Sequence, residues 1–239
     1  MKAFILAAGH GTRLLPLTKE KPKCLVEIQG SPMLAIWLQW CRHSGISEVV
    51  INLHAHAQMV QQFIDDNDFG VKVNVSHEPV LLGSAGTLRK HRDFVDGEAE
   101  FAVLYADVLT NMDLSRLLAL HRRHKATATI GLYRVPNPKS CGIVELASDN
   151  RVISFEEKPE NPRSDLAFSG VMVASPAMLD AVPDLPVADI GFHTLPMLLG
   201  SMYGCPLNTG EYLVDIGTLE KYEAAQTQWP GLNNQKIEV

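Results

Sequence analysis

The stretch that decides the fold is KAFILAA (residues 2–8), followed by GHGTRLLPLTKEKPKCLV (residues 9–26). An apolar run of six residues after Lys2, closed by glycine, reads as a buried strand, Lys2 to Ala8. The segment after it is neither a helix nor a tight hairpin turn. Gly9 and Gly11 open a long loop that runs on through Pro16 and Pro22. A glycine loop directly after a strand lets backbone N–H groups come close to an anion. In that loop four cations, Arg13, Lys19, Lys21 and Lys23, stand against one acid, Glu20, in a chain of formal net charge −6. Such a local inversion of sign is what a triphosphate requires, because several negative oxygens must be neutralised together. Two named phosphate loops are excluded. The Walker form GxxxxGK[ST] is absent, and the dinucleotide form GxGxxG finds Leu14 where its third glycine belongs.

Working outward, Ser31 and Pro32 read as the N-cap and first turn of a helix to His43, closed by Gly45. Val49–Leu53 is a second strand, Gln58–Ile64 a second helix and Val71–Val75 a third strand. A short helix is predicted from Thr87 towards Arg92, and Phe101–Tyr105 is a fourth strand. Asp113 caps a helix through His124. Strand and helix alternate, which predicts an α/β, doubly wound, Rossmann-like and mostly parallel sheet with ligands at the carboxyl ends of its strands. Beyond residue 126 the pattern changes to closely spaced strands: Thr127–Tyr133, Gly142–Leu146, Val152–Glu156 and Gly170–Ala174. These predict a mixed-sheet extension covering one side of the site. Helices are expected near Gly191–Leu199 and Thr218–Gln226, and residues 227–239 are expected to form a fraying tail. No internal repeat is present, and no hexapeptide pattern of a β-helix.

Length and composition fit one domain. The chain has 239 residues, 46% apolar and 20% charged, which is globular rather than disordered composition. An acidic balance argues against nucleic acid or an anionic membrane as partner. No apolar run approaches the roughly 20 residues that span a bilayer, and the N-terminal run is too short for a signal peptide. The four cysteines, Cys24, Cys41, Cys141 and Cys205, fit neither a zinc site nor a disulfide scaffold. They read as reduced thiols, with a cytoplasmic location expected. His121 and His124 read as an exposed helix face, and His54 and His56 carry no assignment.

The motif GHGTRLLPLT…PKCLV resembles the signature of the sugar nucleotidyltransferases, GxGTRLxPLT followed by PKxL. The resemblance continues in order to about residue 226. LGSAGT (82–87) is similar to the family's nucleotide loop, and Tyr105-Ala106-Asp107 stands where the family has a metal aspartate. CGIV (141–144) resembles its sugar-contacting stretch, FEEKP (155–159) its Phe-x-Glu-Lys-Pro element, and VDIGT (214–218) its second metal aspartate. The short form without a β-helix looks closest to mannose- or heptose-1-phosphate guanylyltransferases.

The resemblance implies one domain over residues 1–226, with a nucleotide-binding half (1–125) and a sugar-phosphate-binding half (126–226). It implies nucleotide contacts from Ala8, Gly9, Gly11, Thr12, Arg13, Lys23, Glu78, Gly83, Gly86 and Thr87. Gly142, Glu157, Lys158, Ser169 and Gly170 are implied on the sugar-phosphate side. Mg²⁺ is implied on Asp107 and Asp215, and Arg13, Lys23, Asp107, Lys158 and Asp215 as the catalytic set. Taken alone, either aspartate reads equally as a helix cap or a paired buried acid, and Lys158 as a surface partner of Glu156 or Glu157. One departure stands out: Phe168 occupies the place of a usual polar residue before Ser169-Gly170.

The expected reaction joins an NTP, with GTP first, to a mannose- or heptose-type sugar 1-phosphate. A uridylyl donor with another sugar, and a cytidylyl donor with a phospho-amino-alcohol, stay open. So does a catalytically silent regulator that binds nucleotide sugar. A homo-oligomer is compatible with the sequence.

Overall fold

The chain's first strand, β1 (Lys2–Leu6), lies inside a sheet and sends alternate side chains to opposite faces. Ala3 and Ile5 enter one apolar core and Phe4 enters the other. The same alternation holds in the neighbouring strands, which is what burial on both faces requires. The computed structural model describes residues 1–9 and 11–232.

After β1 the loop makes two short 3₁₀ turns, Thr12–Leu14 and Lys23–Leu25. A small hairpin comes next, β2 (Glu27–Ile28) and β3 (Ser31–Pro32), then α1 (Met33–His43), β4 (Glu48–Leu53), α2 (Ala57–Asp65) and β5 (Lys72–His77). The chain continues through α3 (Ser84–Lys90), β6 (Phe101–Tyr105), β7 (Val108–Thr110) and α4 (Leu114–His124). The second half contributes β8 (Ala128–Arg134), β9 (Gly142–Leu146), β10 (Val152–Glu157), β11 (Leu166–Ala174), β12 (Met202–Pro206), β13 (Leu213–Asp215) and α5 (Leu219–Gln228). The main sheet runs β10-β9-β11-β6-β1-β4-β5, with β8 also beside β11 and β12 beyond β8. The β6-β1-β4-β5 block is parallel. Strand β11 joins it antiparallel and carries the mixed extension. Helices α1, α2 and α4 cover one face, and α3 with the short turns near 92–95, 176–181 and 195–198 covers the other. The doubly wound α/β architecture with a mixed extension is therefore present.

Several local expectations change. Ser31 and Pro32 do not open α1; they pair with Ile28 and Glu27, and the helix starts at Met33. Helix α3 starts at Ser84 rather than Thr87, because the Ala188 carbonyl accepts from Ala85 N (2.9 Å) and Gly86 N (3.1 Å). Those first-turn donors would otherwise lack partners. The predicted helix near Gly191–Leu199 is instead a π turn, Ile190–Thr194, followed by a 3₁₀ turn, Leu195–Leu198. Pro196 has no N–H to continue an α-helix there. His121 is not on an exposed face: it is buried, and its Nδ1 lies 3.2 Å from Thr129 Oγ1 of β8. His124 stacks on Tyr203 with ring centroids 4.1 Å apart.

The expected tail at 227–239 begins too early. Helix α5 runs to Gln228, and Trp229 is buried against Tyr212, with its carbonyl accepting from Gln29 Nε2 at 2.9 Å. Residues 233–239, and His10 of the glycine loop, lie outside the described residues. Among the described residues no helix is long and apolar enough to cross a membrane.

Candidate active site

At the carboxyl ends of β1, β4 and β6 the sheet opens into a cavity of about 300 Å³. Ala7, Ala8 and Gly9 form one wall, and Asn52, Glu78, Gly83 and Ser84 line it as well. Tyr105, Ala106, Asp107, Lys23 and Cys24 also line it. Among the described residues no atom beyond its chain neighbours lies within 4 Å of where a Cβ on Gly9 would stand, so the backbone there is open to a ligand. Burial pushes the Cys24 thiol up to about 12. It is therefore a neutral lining group and no nucleophile.

Glu78 is 1% exposed and held by a short network. Asn52 Oδ1 accepts from Ala7 N (2.8 Å), and Asn52 Nδ2 donates to Thr87 Oγ1 (2.9 Å). Thr87 Oγ1 in turn donates to Glu78 Oε1 (2.6 Å). Thr87, expected among the nucleotide contacts, is thus buried outside the cavity lining and orients Glu78. Gly86 is also buried, against Leu82 and Ala188, and does not line the cavity. Gly83 does line it, with φ +78° and its α-carbon turned against the Ala188 carbonyl, where no side chain fits.

The charged centre joins residues from both halves of the chain. Lys23 Nζ lies 2.8 Å from Asp107 Oδ2 and 3.9 Å from Asp215 Oδ1. The two aspartates meet because β13 pairs antiparallel with β7, Asp215 opposite Val108, and Ile216 N donates to the Asp107 carbonyl at 2.9 Å. Lys23 sits in a 3₁₀ turn whose other members, Cys24 and Leu25, are buried and anchor it. A further cation, Lys221 of α5, reaches Asp215 Oδ2 at 3.4 Å. Among the described residues no group of three or more His, Cys, Asp or Glu side chains forms a metal cage. Two carboxylates already sharing one cation still suit a hard divalent ion that takes its other ligands from phosphates and water.

The sugar-phosphate candidates lie on β9, β10 and β11, with Lys158 directly after β10. Glu157 is half-buried, with its Oε2 in a slot between two glycines. A Cβ on Gly142 would stand 2.6 Å from that oxygen, and one on Gly191 2.5 Å. Burial raises the Glu157 pKa above the usual carboxylate range, with Lys158 opposing the shift and Asp189 adding to it. Lys158 is exposed, holds φ +52°, and donates its N–H to the Cys141 carbonyl at 2.9 Å. Ser169 is 1% exposed, and its Oγ accepts from Val171 N at 3.1 Å across the bulge in β11. Its hydroxyl, expected on the sugar-phosphate side, is buried within the strand. Gly170, at φ +79°, packs its α-carbon against Tyr105 and Val108. Phe168 meets the Tyr105 ring edge-on at 5.8 Å. Burial first, and the Asp189 charge second, raise the Tyr105 pKa, so its hydroxyl stays a donor.

Arg13 and Thr12 occupy the first 3₁₀ turn, both exposed and outside the cavity lining. Leu14 anchors that turn at 1% exposure, and Gly11 begins it at φ +65°. The structure thus brings Lys23, Asp107 and Asp215 together. It lines one cavity with Ala8, Gly9, Glu78 and Gly83, and it leaves Arg13 exposed and outside that lining. Residues missed from sequence are Asn52, Tyr105, Ser84, Asp189 and Lys221. Asn52 carried a signal, a polar side chain inside the apolar strand VVINL. Lys221 carried none, since its meeting with Asp215 depends on how α5 docks.

The family model for nucleotidyl transferases matches residues 2–230. The mannose-1-phosphate guanylyltransferase catalytic subunit beta of Dictyostelium discoideum is 34% identical, over 79% of this chain and 53% of that protein. A UTP–glucose-1-phosphate uridylyltransferase of Synechocystis is 32% identical, over 93% and 61%. A glucose-1-phosphate thymidylyltransferase of Streptomyces griseus is 37% identical, over 76% and 51%. The chain therefore spans between half and two thirds of the length of these curated relatives. The fold also matches a solved structure, a putative glucose-1-phosphate thymidylyltransferase from Bacillus anthracis. There the TM-score is 0.81 at 23% identity, over 95% of this chain and 94% of that one. Glycine loop, paired aspartates and family match agree: the chain belongs to the nucleotidyl transferase family.

Proposed function

We propose that this protein transfers a nucleotidyl group from GTP to a mannose- or heptose-type sugar 1-phosphate, releasing pyrophosphate. The observation that carries the reading is Lys23 between Asp107 and Asp215, with Lys23 and Asp107 lining a cavity that has an open glycine backbone. A phosphate monoester is largely dianionic near neutral pH, so the acceptor is its own nucleophile and no general base is needed. A non-bridging oxygen of the sugar phosphate attacks the α-phosphorus. The bond from α-phosphorus to the bridging oxygen breaks, and pyrophosphate leaves with that electron pair. Catalysis then rests on alignment and charge neutralisation. Lys23 stabilises charge at the α-phosphate, Arg13 the β- and γ-phosphates, and Lys158 holds the attacking phosphate. Asp107 and Asp215 would hold Mg²⁺, which when bound supplies a Lewis acid for the phosphate oxygens.

Glu78 supports guanine. A carboxylate presents only acceptors, and the Watson–Crick edge of guanine offers two adjacent donors, N1–H and N2–H₂. Uracil offers one donor flanked by carbonyls, which a carboxylate repels. A pyrophosphate-release screen of four NTPs against a panel of sugar 1-phosphates tests both levels. GTP with mannose 1-phosphate should turn over, and Glu78→Gln should lower the GTP-over-UTP preference at least tenfold. Absence of release with every pair would shift the reading to a phospho-alcohol acceptor or a silent regulator. An unchanged preference in the variant would remove Glu78 from base selection.

A further inference from the structure

Phe192 is 53% exposed, and packing does not explain a phenylalanine there. Its ring lies tilted beside the neighbouring His193 ring, centroids 6.3 Å apart, and Lys158 Nζ stands 5.5 Å from its centroid, inside the range of a cation–π contact. We propose that Phe192 is a positioning residue that holds the Lys158 ammonium ready for the acceptor's phosphate. The inference rests on the reading of Lys158 as the group that grips that phosphate.

The chemistry favours a ring in this role. A lysine on four rotatable bonds loses much rotamer freedom when it is fixed on a ligand. A carboxylate partner would fix it too, but would cancel the charge that the phosphate needs. An aromatic face restrains the ammonium from one side and leaves N–H donors for phosphate oxygens. Glu157 is the adjacent acid, yet it forms no ion pair with Lys158 within 4 Å among the described residues; its carboxylate sits in the Gly142–Gly191 slot.

The ring is itself held. Phe192 N donates to Asp189 Oδ1 at 3.0 Å. Asp189 Oδ2 accepts from Ser84 Oγ at 2.9 Å, and Ser84 Oγ accepts from Ile190 N at 2.7 Å. Asp189 N lies 2.9 Å from His193 Nδ1, closing the turn. This π turn, a geometry that recurs at functional sites, reaches from the nucleotide loop to the acceptor lysine. On the other side, the left-handed backbone at Lys158 and the buried Pro159 fix where the lysine begins.

The test combines kinetics with an activity-independent signal. With GTP saturating and mannose 1-phosphate varied, Phe192→Leu should raise the acceptor KM about two- to fivefold, the range of an exposed cation–π contact. The KM for GTP and kcat should stay within twofold, and Phe192→Trp should behave as wild type. In the Lys158→Met background, Phe192→Leu should add nothing. An equal effect in that background, or failure of tryptophan to rescue, would overturn the proposal. In ¹³C-lysine-labelled protein without substrate, the Lys158 ε-CH₂ protons should show a ring-current shift that Phe192→Leu abolishes. Absence of that shift in wild type overturns the proposal whatever the substrate. If the shift is present and Lys158→Met leaves the acceptor KM unchanged, the reading of Lys158 falls, and the assigned role of Phe192 with it.

Discussion

At the scale of the residue, Lys23 carries the most. Its side chain is 10% exposed and stands between two carboxylates that would otherwise repel each other. Lys23→Met should lower kcat by about 10²–10³-fold, the usual loss when one preorganised group facing transition-state charge is removed. The same variant leaves Asp107 and Asp215 without their shared cation. Mg²⁺ should therefore raise its melting temperature more than it raises that of wild type. Scanning fluorimetry with and without Mg²⁺, beside initial rates, checks both. A variant within a few-fold of wild-type rate would mean that Lys23 is only structural. Lys23 was legible in sequence as part of a basic glycine loop. Its distance to Asp215 was not, because nothing local relates the two.

At the scale of the element, the site depends on two very short strands and one helix. β7 and β13 have three residues each, too few to show a period of two against background. Their pairing nevertheless sets the separation of the two aspartates. Behind them a satellite core of Leu14, Ile28, Met33, Ile36, Leu109, Ile216, Ala225 and Trp229 ties the glycine loop to α5. Trp229→Ala should cost about 3–5 kcal/mol in urea unfolding, as large-to-small changes in packed sites do. A loss below about 1 kcal/mol would show that this cluster is not part of the cooperative fold. The sequence read residues from 227 onward as a tail because proline, glycine and asparagine look like chain ends. Tertiary packing of a single tryptophan overrode that composition. His121 is the same lesson inside a helix: an HRRH run looks solvated, yet the first histidine turns onto β8.

At the scale of the whole molecule, stability should carry a pH signature from Glu157. Burial raises its folded pKa above its unfolded value. Its contribution therefore favours the fold below the ordinary glutamate range and is lost as pH rises through the raised value. Glu157→Gln has no charged form to desolvate. It should match wild type at low pH and gain relative stability as pH rises, the gain levelling off once Glu157 is ionised in both states. Melting temperatures of the two proteins across acid to neutral pH test the sign. A variant that grows relatively less stable with rising pH would mean that the carboxylate is held by a favourable partner instead of penalised by burial.

The sequence by itself determined the parallel block, the glycine loop and the family, because these rest on contiguous signals: apolar runs, glycine spacing and local charge. Strand β6 was read to the residue, and Asp113 as the cap of α4 holds in its bond to Ser115 N. Only the tertiary structure decided that Thr87 and Ser169 turn inward, that Lys221 joins Asp215, and that a π turn carries Phe192 to Lys158. Each of these is a meeting of segments far apart in the chain, or the choice of which side of a bulge is buried. Such meetings are fixed by packing free energy summed over the whole core, which no local pattern of residues encodes.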